Sequence, residues 1–139
     1  MFNLNNKMEN TMTFDDDAFD CNQITLEELQ YKVHKTARES GWWGDLSKPT
    51  ERNFGEAVAL MHSELSEALE AHRKGLMDDK LPHRWGVEVE LADCMIRIMD
   101  YAEHMGLDLM RTIIEKDNIN KTRADHKPEN RGKPGGKSY

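Results

Sequence analysis

From Leu26 onward, apolar positions return every three or four residues in four separate blocks, the spacing of one buried helical face. The first block, Leu26, Leu29, Val33 and Ala37, follows the capping box Thr25-x-x-Glu28 and stops at Gly41, which predicts a helix over about 26–40. The second carries Phe54, Val58, Met61, Leu65 and Ala68, opens on the cap pair Asn53 and Glu56, and ends at Gly75. It predicts a helix over about 54–74 with those side chains as the buried stripe. The third runs from about 85 to 105, after Pro82 and before Gly106. Val87, Leu91, Ala92, Cys94, Met95, Ile96, Ile98, Met99, Tyr101, Ala102 and Met105 cover most of its circumference, so packing is expected nearly all round it. The fourth spans about 108–123. No stretch sustains a period of two and no internal repeat is detectable, so the expected fold is all-α, a four-helix bundle over 23–124.

The ends read differently. Residues 1–22 are rich in Asn and Asp without a sustained period, and 125–139 are rich in Pro, Gly and Lys; both are expected to be flexible arms, the first acidic and the second basic. Within the tail, "GKPGGKS" imitates a phosphate loop but is one residue too short between its glycines and has no helix after it. A net charge of -7 and a pI near 5.3 argue against nucleic acid as the main partner, since phosphate backbones are met by clustered Lys and Arg. Cys21 and Cys94 lie far apart with no metal-type spacing, so neither a zinc site nor a disulfide framework is expected. No apolar run is long enough to span a bilayer and the first residues lack the pattern of a signal peptide, so the expectation is a soluble, cytoplasmic protein that engages no membrane.

Polar residues on two of the helices add candidate chemistry. In the second helix Glu64 and Glu67 lie beside the apolar stripe, on a seam with Ala57, Leu60 and Ala71, whereas Glu70 falls nearly opposite and reads as a surface charge. On spacing alone Glu64 and Glu67 serve equally well as boundary residues in salt bridges. The third helix has one narrow polar arc, Glu90, Asp93, Arg97, Asp100 and His104, and a charged stripe on a largely apolar helix needs partners to offset its desolvation. An internal ion-pair network around Arg97 would supply them. Alternatively, two carboxylate pairs at i, i+3 on facing helices would repel and take up protons unless a cation compensated them. A hard divalent ion with oxygen ligands suits that set, magnesium first and manganese as a substitute. A di-iron carboxylate site fits less well, because neither Glu64 nor Glu90 is followed by His three residues on.

In the fourth helix Leu109, Ile113, Lys116, Asn120 and Arg123 step by four and three, a stripe that turns from apolar to basic and amide toward its C-terminus. Cations there also suit the helix dipole whatever their function. Facing acidic metal ligands, however, such donors would make a place for a polyphosphate. His34, Trp42 and Trp43, at the end of the first helix and in the following loop, could stack on a nucleobase, although loop tryptophans also serve to anchor a loop to the core. Trp85 is a weaker candidate, preceding a mostly apolar helix.

These residues resemble the MazG-like all-α nucleoside triphosphate pyrophosphohydrolases, whose pattern is ExxE, a variable spacer, then ExxD. Here it reads Glu64-x-x-Glu67 in "SELSEALE" and Glu90-x-x-Asp93 in "VELADCMIRIMD", separated by 22 residues and followed by "EKDNINKTR". The resemblance implies magnesium-dependent hydrolysis of a (deoxy)nucleoside triphosphate to monophosphate and pyrophosphate. It implies Glu64, Glu67, Glu90 and Asp93 as catalytic metal ligands, Lys116, Asn120 and Arg123 as contacts to phosphates or sugar, and a homodimer or homotetramer whose sites a neighbouring subunit completes. Arg97 stands where some deoxycytidine-type relatives carry an aromatic residue, so it is a candidate substrate contact and their selectivity does not transfer. The ending "RADHKPENRGKPGGKSY" also departs from many relatives. The phosphoribosyl-ATP pyrophosphohydrolase and dimeric dUTPase branches share the metal pattern, and a non-catalytic helical interaction module with Met-rich faces is the reading from outside enzymology.

Overall fold

The computed structural model describes residues 24–45, 47 and 51–134. The acidic arm, Cys21 and residues 135–139 of the tail lie outside that range. The fold is all-α: α1 (Leu26–Glu39), α2 (Phe54–Lys74), α3 (Gly86–His104) and α4 (Leu109–Thr122), succeeded by two 3-10 turns, Ala124–His126 and Pro128–Asn130. No strand forms among the described residues; an isolated antiparallel bridge joins Met77 to Trp85.

Local chemistry sets the helix ends. Thr25 and Glu28 form a reciprocal capping box, with Thr25 Oγ1 accepting from Glu28 N at 3.2 Å and Glu28 Oε2 accepting from Thr25 N at 2.8 Å. Asn53 Oδ1 accepts from Glu56 N at 3.2 Å to start α2. At the other end Gly75 turns left-handed at φ 63, which lets Leu76 N donate to Ala71 O at 3.0 Å and satisfy a carbonyl the helix leaves open.

The chain returns through a turn stapled by Asp78, whose Oδ1 accepts from Lys80 N at 3.0 Å and Leu81 N at 2.5 Å. Gly86 then opens α3 against the end of α2. A Cβ there would sit 3.0 Å from Ala71 Cβ and 3.1 Å from Leu76 O, so any larger residue would push these neighbours back by a few tenths of an ångström. From that clasp α3 runs back along α2 and also packs on α1. Trp43, Ala57 and Tyr101 form the buried cluster at the far end, with Ala37 and Met61 against it.

The helices are those the spacing predicts, but their faces differ. In α2 the buried line is Ala57, Glu64, Ala68 and Ala71, while Phe54 and Leu65 of the expected stripe are exposed. Small residues let α3 approach closely, and the bulkier side chains are left on the outer face. Nor is α3 surrounded: it buries Gly86, Cys94, Met99, Asp100, Tyr101 and Ala102, whereas Leu91, Met95, Ile96 and Ile98 stay open to solvent. The packed unit is therefore three helices, because α4 buries no residue and contacts chiefly the 3-10 turn next to it in the chain. In the tail, residues 124–130 take up these turns, held by Asn130 Nδ2 donating to Ala124 O at 2.8 Å.

Candidate metal centre and adjoining cavity

Halfway along the α2–α3 seam, Glu64 replaces an alanine in the buried line. It is 5% exposed, and ligand oxygens of Glu64, Glu90 and Asp93 all lie within 4.8 Å of one another. Three hard anionic oxygens from two helices, at one level and partly screened from water, fit a divalent cation of the magnesium type. Burial and mutual repulsion show in the protonation of Glu90 and Asp93. Burial raises the Glu90 carboxyl, and Glu67, a hydrogen bond shared with Glu64 and the charges of Glu64 and Asp93 add to it, bringing the pKa to about 7. Asp93 is also raised, by burial first and by Glu64 next, with Arg97 working against the shift. Glu67 is exposed and stands outside the three-residue cluster, yet its charge is the second cause of the shift at Glu90.

Arg97 completes this level of the seam by donating Nε–H to Glu64 Oε1 at 2.6 Å. One turn further, the polar arc of α3 serves a second cluster. Asp100 Oδ1 receives both His34 Nδ1, at 2.7 Å, and the indole N–H of Trp43, at 2.8 Å, while Arg52 Nη1 lies 3.6 Å from Oδ2. His104 ends the arc, its ring stacked on Trp43 at 4.0 Å between centroids. Burial and the nearby His34 lower the His104 pKa.

Between the clusters opens a cavity of about 290 Å³, bordered by Asp93 and Arg97 at one end and by Trp42, Arg52, Asp100 and Tyr101 at the other. Its volume is at the lower end of the ~300–1,000 Å³ usual for small-molecule sites. No protein-family model, curated protein or solved structure matches this chain. Its own residues must therefore carry the functional assignment.

The paired tryptophans divide. Trp43 is 2% exposed, with His104 stacked on its ring and the Arg52 guanidinium 4.9 Å from its centroid, so it anchors the loop and offers no open face for a base. Trp42 is 65% exposed and lines the cavity, and there an aromatic face is available. His34 is committed to Asp100. Trp85 borders α2 through His72, away from the cavity lining.

Within one chain α4 does not bring its stripe to the carboxylates. Lys116 is exposed, Asn120 keeps a buried Oδ1 with no partner, and the Arg123 fork is closed on Asp125, Nε–Oδ1 2.9 Å and Nη2–Oδ2 2.5 Å. Glu70 pairs with Lys74 on the surface, as its position opposite the seam predicts.

Two cavity residues escaped the sequence reading of function. Asp100 shows only as a member of the polar arc, with nothing to separate a buried hub from an ion-pair partner. Arg52 carries no periodic signal because it precedes the helix cap, and only the fold brings it over Trp43.

Proposed function

We propose that this protein is a MazG-like, magnesium-dependent hydrolase that cleaves a (deoxy)nucleoside triphosphate into monophosphate and pyrophosphate. The observation that carries the reading is the convergence of Glu64, Glu90 and Asp93 beside a cavity that Asp93 itself lines. Glu64, Glu90 and Asp93 would hold the cation, with Glu67 adding charge at its outer side. When bound, such a cation activates water and neutralises phosphoryl oxygens.

The chain's own residues would do the rest. Trp42 offers a face for the base, and Arg97 and Arg52 provide guanidinium groups along the cavity. Lys116, Asn120 and Arg123 would come from a neighbouring subunit in a homodimer or homotetramer. Two features support that assembly: no residue of α4 is fully buried in its own chain, and Leu65, Leu69, Leu91, Met95, Ile113 and Ile114 are all exposed.

Incubation with each common ribo- and deoxyribonucleoside triphosphate plus magnesium, with product analysis at the end, tests the reading. Monophosphate and pyrophosphate should appear together in equal amounts. Absence of hydrolysis across the panel, and with dUTP and phosphoribosyl-ATP added to it, would leave the helical interaction module as the surviving account.

A further inference from the structure

We propose that Arg97 is an internal counter-cation: it holds Glu64 in the cation-free protein and is released toward the adjoining cavity when a divalent cation takes that carboxylate, so that cation and anion binding reinforce each other. This rests on the proposed reading of Glu64, Glu90 and Asp93 as cation ligands.

Glu64 is almost entirely buried, and a carboxylate in that position needs a compensating charge. Arg97 supplies it through the 2.6 Å contact from α3. The same carboxylate is one of the three whose oxygens converge within 4.8 Å. A divalent cation held there would draw on the same carboxylate charge. Two cations would then compete for one buried anion, and the guanidinium, as the singly charged competitor, has its hold on Glu64 weakened.

Arg97 has somewhere to go. Its side chain is about one-third exposed and borders the cavity together with Arg52, Asp93, Asp100, Trp42 and Tyr101. The other charged groups facing that space are already engaged. Asp100 is met by His34, Trp43 and Arg52, and Asp93 belongs to the triad. Once Glu64 is claimed, Arg97 loses its hydrogen-bonded carboxylate, and its planar fork suits two oxygens of a phosphate-type anion. By linkage, an anion that draws Arg97 away must in turn tighten cation binding. A lysine, with a single ammonium, would reproduce the charge without the fork.

The test uses the full chain, magnesium alone and inorganic phosphate, with calorimetry and the NMR signal of the Arg97 Nε–H as readouts. In the wild type, saturating magnesium should move that signal from a hydrogen-bonded to a solvent-like position, and phosphate should raise magnesium affinity several-fold. Arg97→Gln should bind magnesium about tenfold more tightly without phosphate, a coupling in the range usual between linked sites, and should lose the phosphate effect. Arg97→Lys should bind with intermediate affinity. Weaker magnesium binding in Arg97→Gln would mean that Arg97 positions Glu64 for the cation, and it would overturn the proposal. So would an Nε–H signal that stays put at saturation, an observation on the wild type that does not depend on either variant folding. Both results leave the cation site standing. A wild type that takes up neither magnesium nor manganese removes that site and this inference with it.

Discussion

Trp43 donates its indole N–H to Asp100 at 2.8 Å, tying the loop after α1 to α3 across 57 positions of sequence. The bond is buried, and its acceptor oxygen is shared with His34. Trp43→Ala should therefore cost about 3–5 kcal/mol of stability, the range for truncating a buried large aromatic. Trp42→Ala should change stability by less than about 1 kcal/mol, as at most exposed positions. Instead it should raise the Michaelis constant more than it lowers turnover, because stacking on a base contributes equally to ground and transition states. Urea titrations and steady-state kinetics on the same two variants separate the roles; the reverse pattern would exchange them.

On the proposed function, removing one carboxylate of the cluster at a time should disable catalysis without unfolding the helices. Glu64→Gln, Glu90→Gln and Asp93→Asn should each lower turnover by about a hundredfold or more, since the cation's charge stabilisation is most of what such a site supplies. Glu67→Gln should fall in the same direction, and Glu70→Gln, whose native partner is Lys74 on the surface, should stay near wild type. Equal damage from Glu70→Gln and Glu67→Gln would invalidate the assignment of faces on α2.

The raised pKa of Glu90, about 7 against an ordinary value of 4.5, gives a signed pH effect. The folded protein binds this proton more tightly than the unfolded chain, so without metal the Glu90 contribution to stability falls as pH rises from about 4.5 to about 7. His104 acts in the opposite sense, since its lowered pKa favours the folded state as pH rises. Comparing wild type with Glu90→Gln isolates the carboxyl: the melting-temperature advantage of the wild type at about pH 5 over about pH 8 should shrink in the variant. Magnesium affinity should climb through the same window as Glu90 gives up its proton. A wild type and a Glu90→Gln variant with identical pH profiles would rule this out.

Assembly makes a separate expectation. Ile113→Asp or Ile114→Asp, on a helix with no fully buried residue, should leave the packed unit of α1, α2 and α3 folded but convert the proposed oligomer into monomer on ultracentrifugation. Mixing inactive Glu90→Gln chains with inactive Arg123→Ala chains should restore some turnover if donors and carboxylates meet between subunits. Full activity in a monomeric variant would contradict that arrangement.

Much of the fold was legible because helix ends obey local rules: Thr25 with Glu28, Asn53, Gly75 and Gly106 place the helix boundaries within about a residue or two of the spacing. The direction of burial was harder. A periodic pattern marks apolar residues without saying which of two adjacent stripes meets a neighbour, and in α2 the alanine line won because closeness to α3 favours small side chains. Glu64, Glu90 and Asp93 could be picked out as paired carboxylates on two helices, and the structure brings those three together. Glu67 could not be told from them by spacing, since a shift of three residues turns it only about 60° from Glu64, enough to pass from seam to solvent. The roles of Arg52 and Asp100 depend on Trp43 and Arg52 meeting Asp100 from far along the chain, which no local pattern encodes.

The close contact between Gly86 and Ala71 has a practical consequence for altering the protein. It sets where α3 starts against the end of α2 at the turn itself, about one helical turn before Glu90. That turn is a natural port: a reporter peptide or fluorophore grafted near Asp79 or Lys80, both widely exposed, should leave the carboxylates in register.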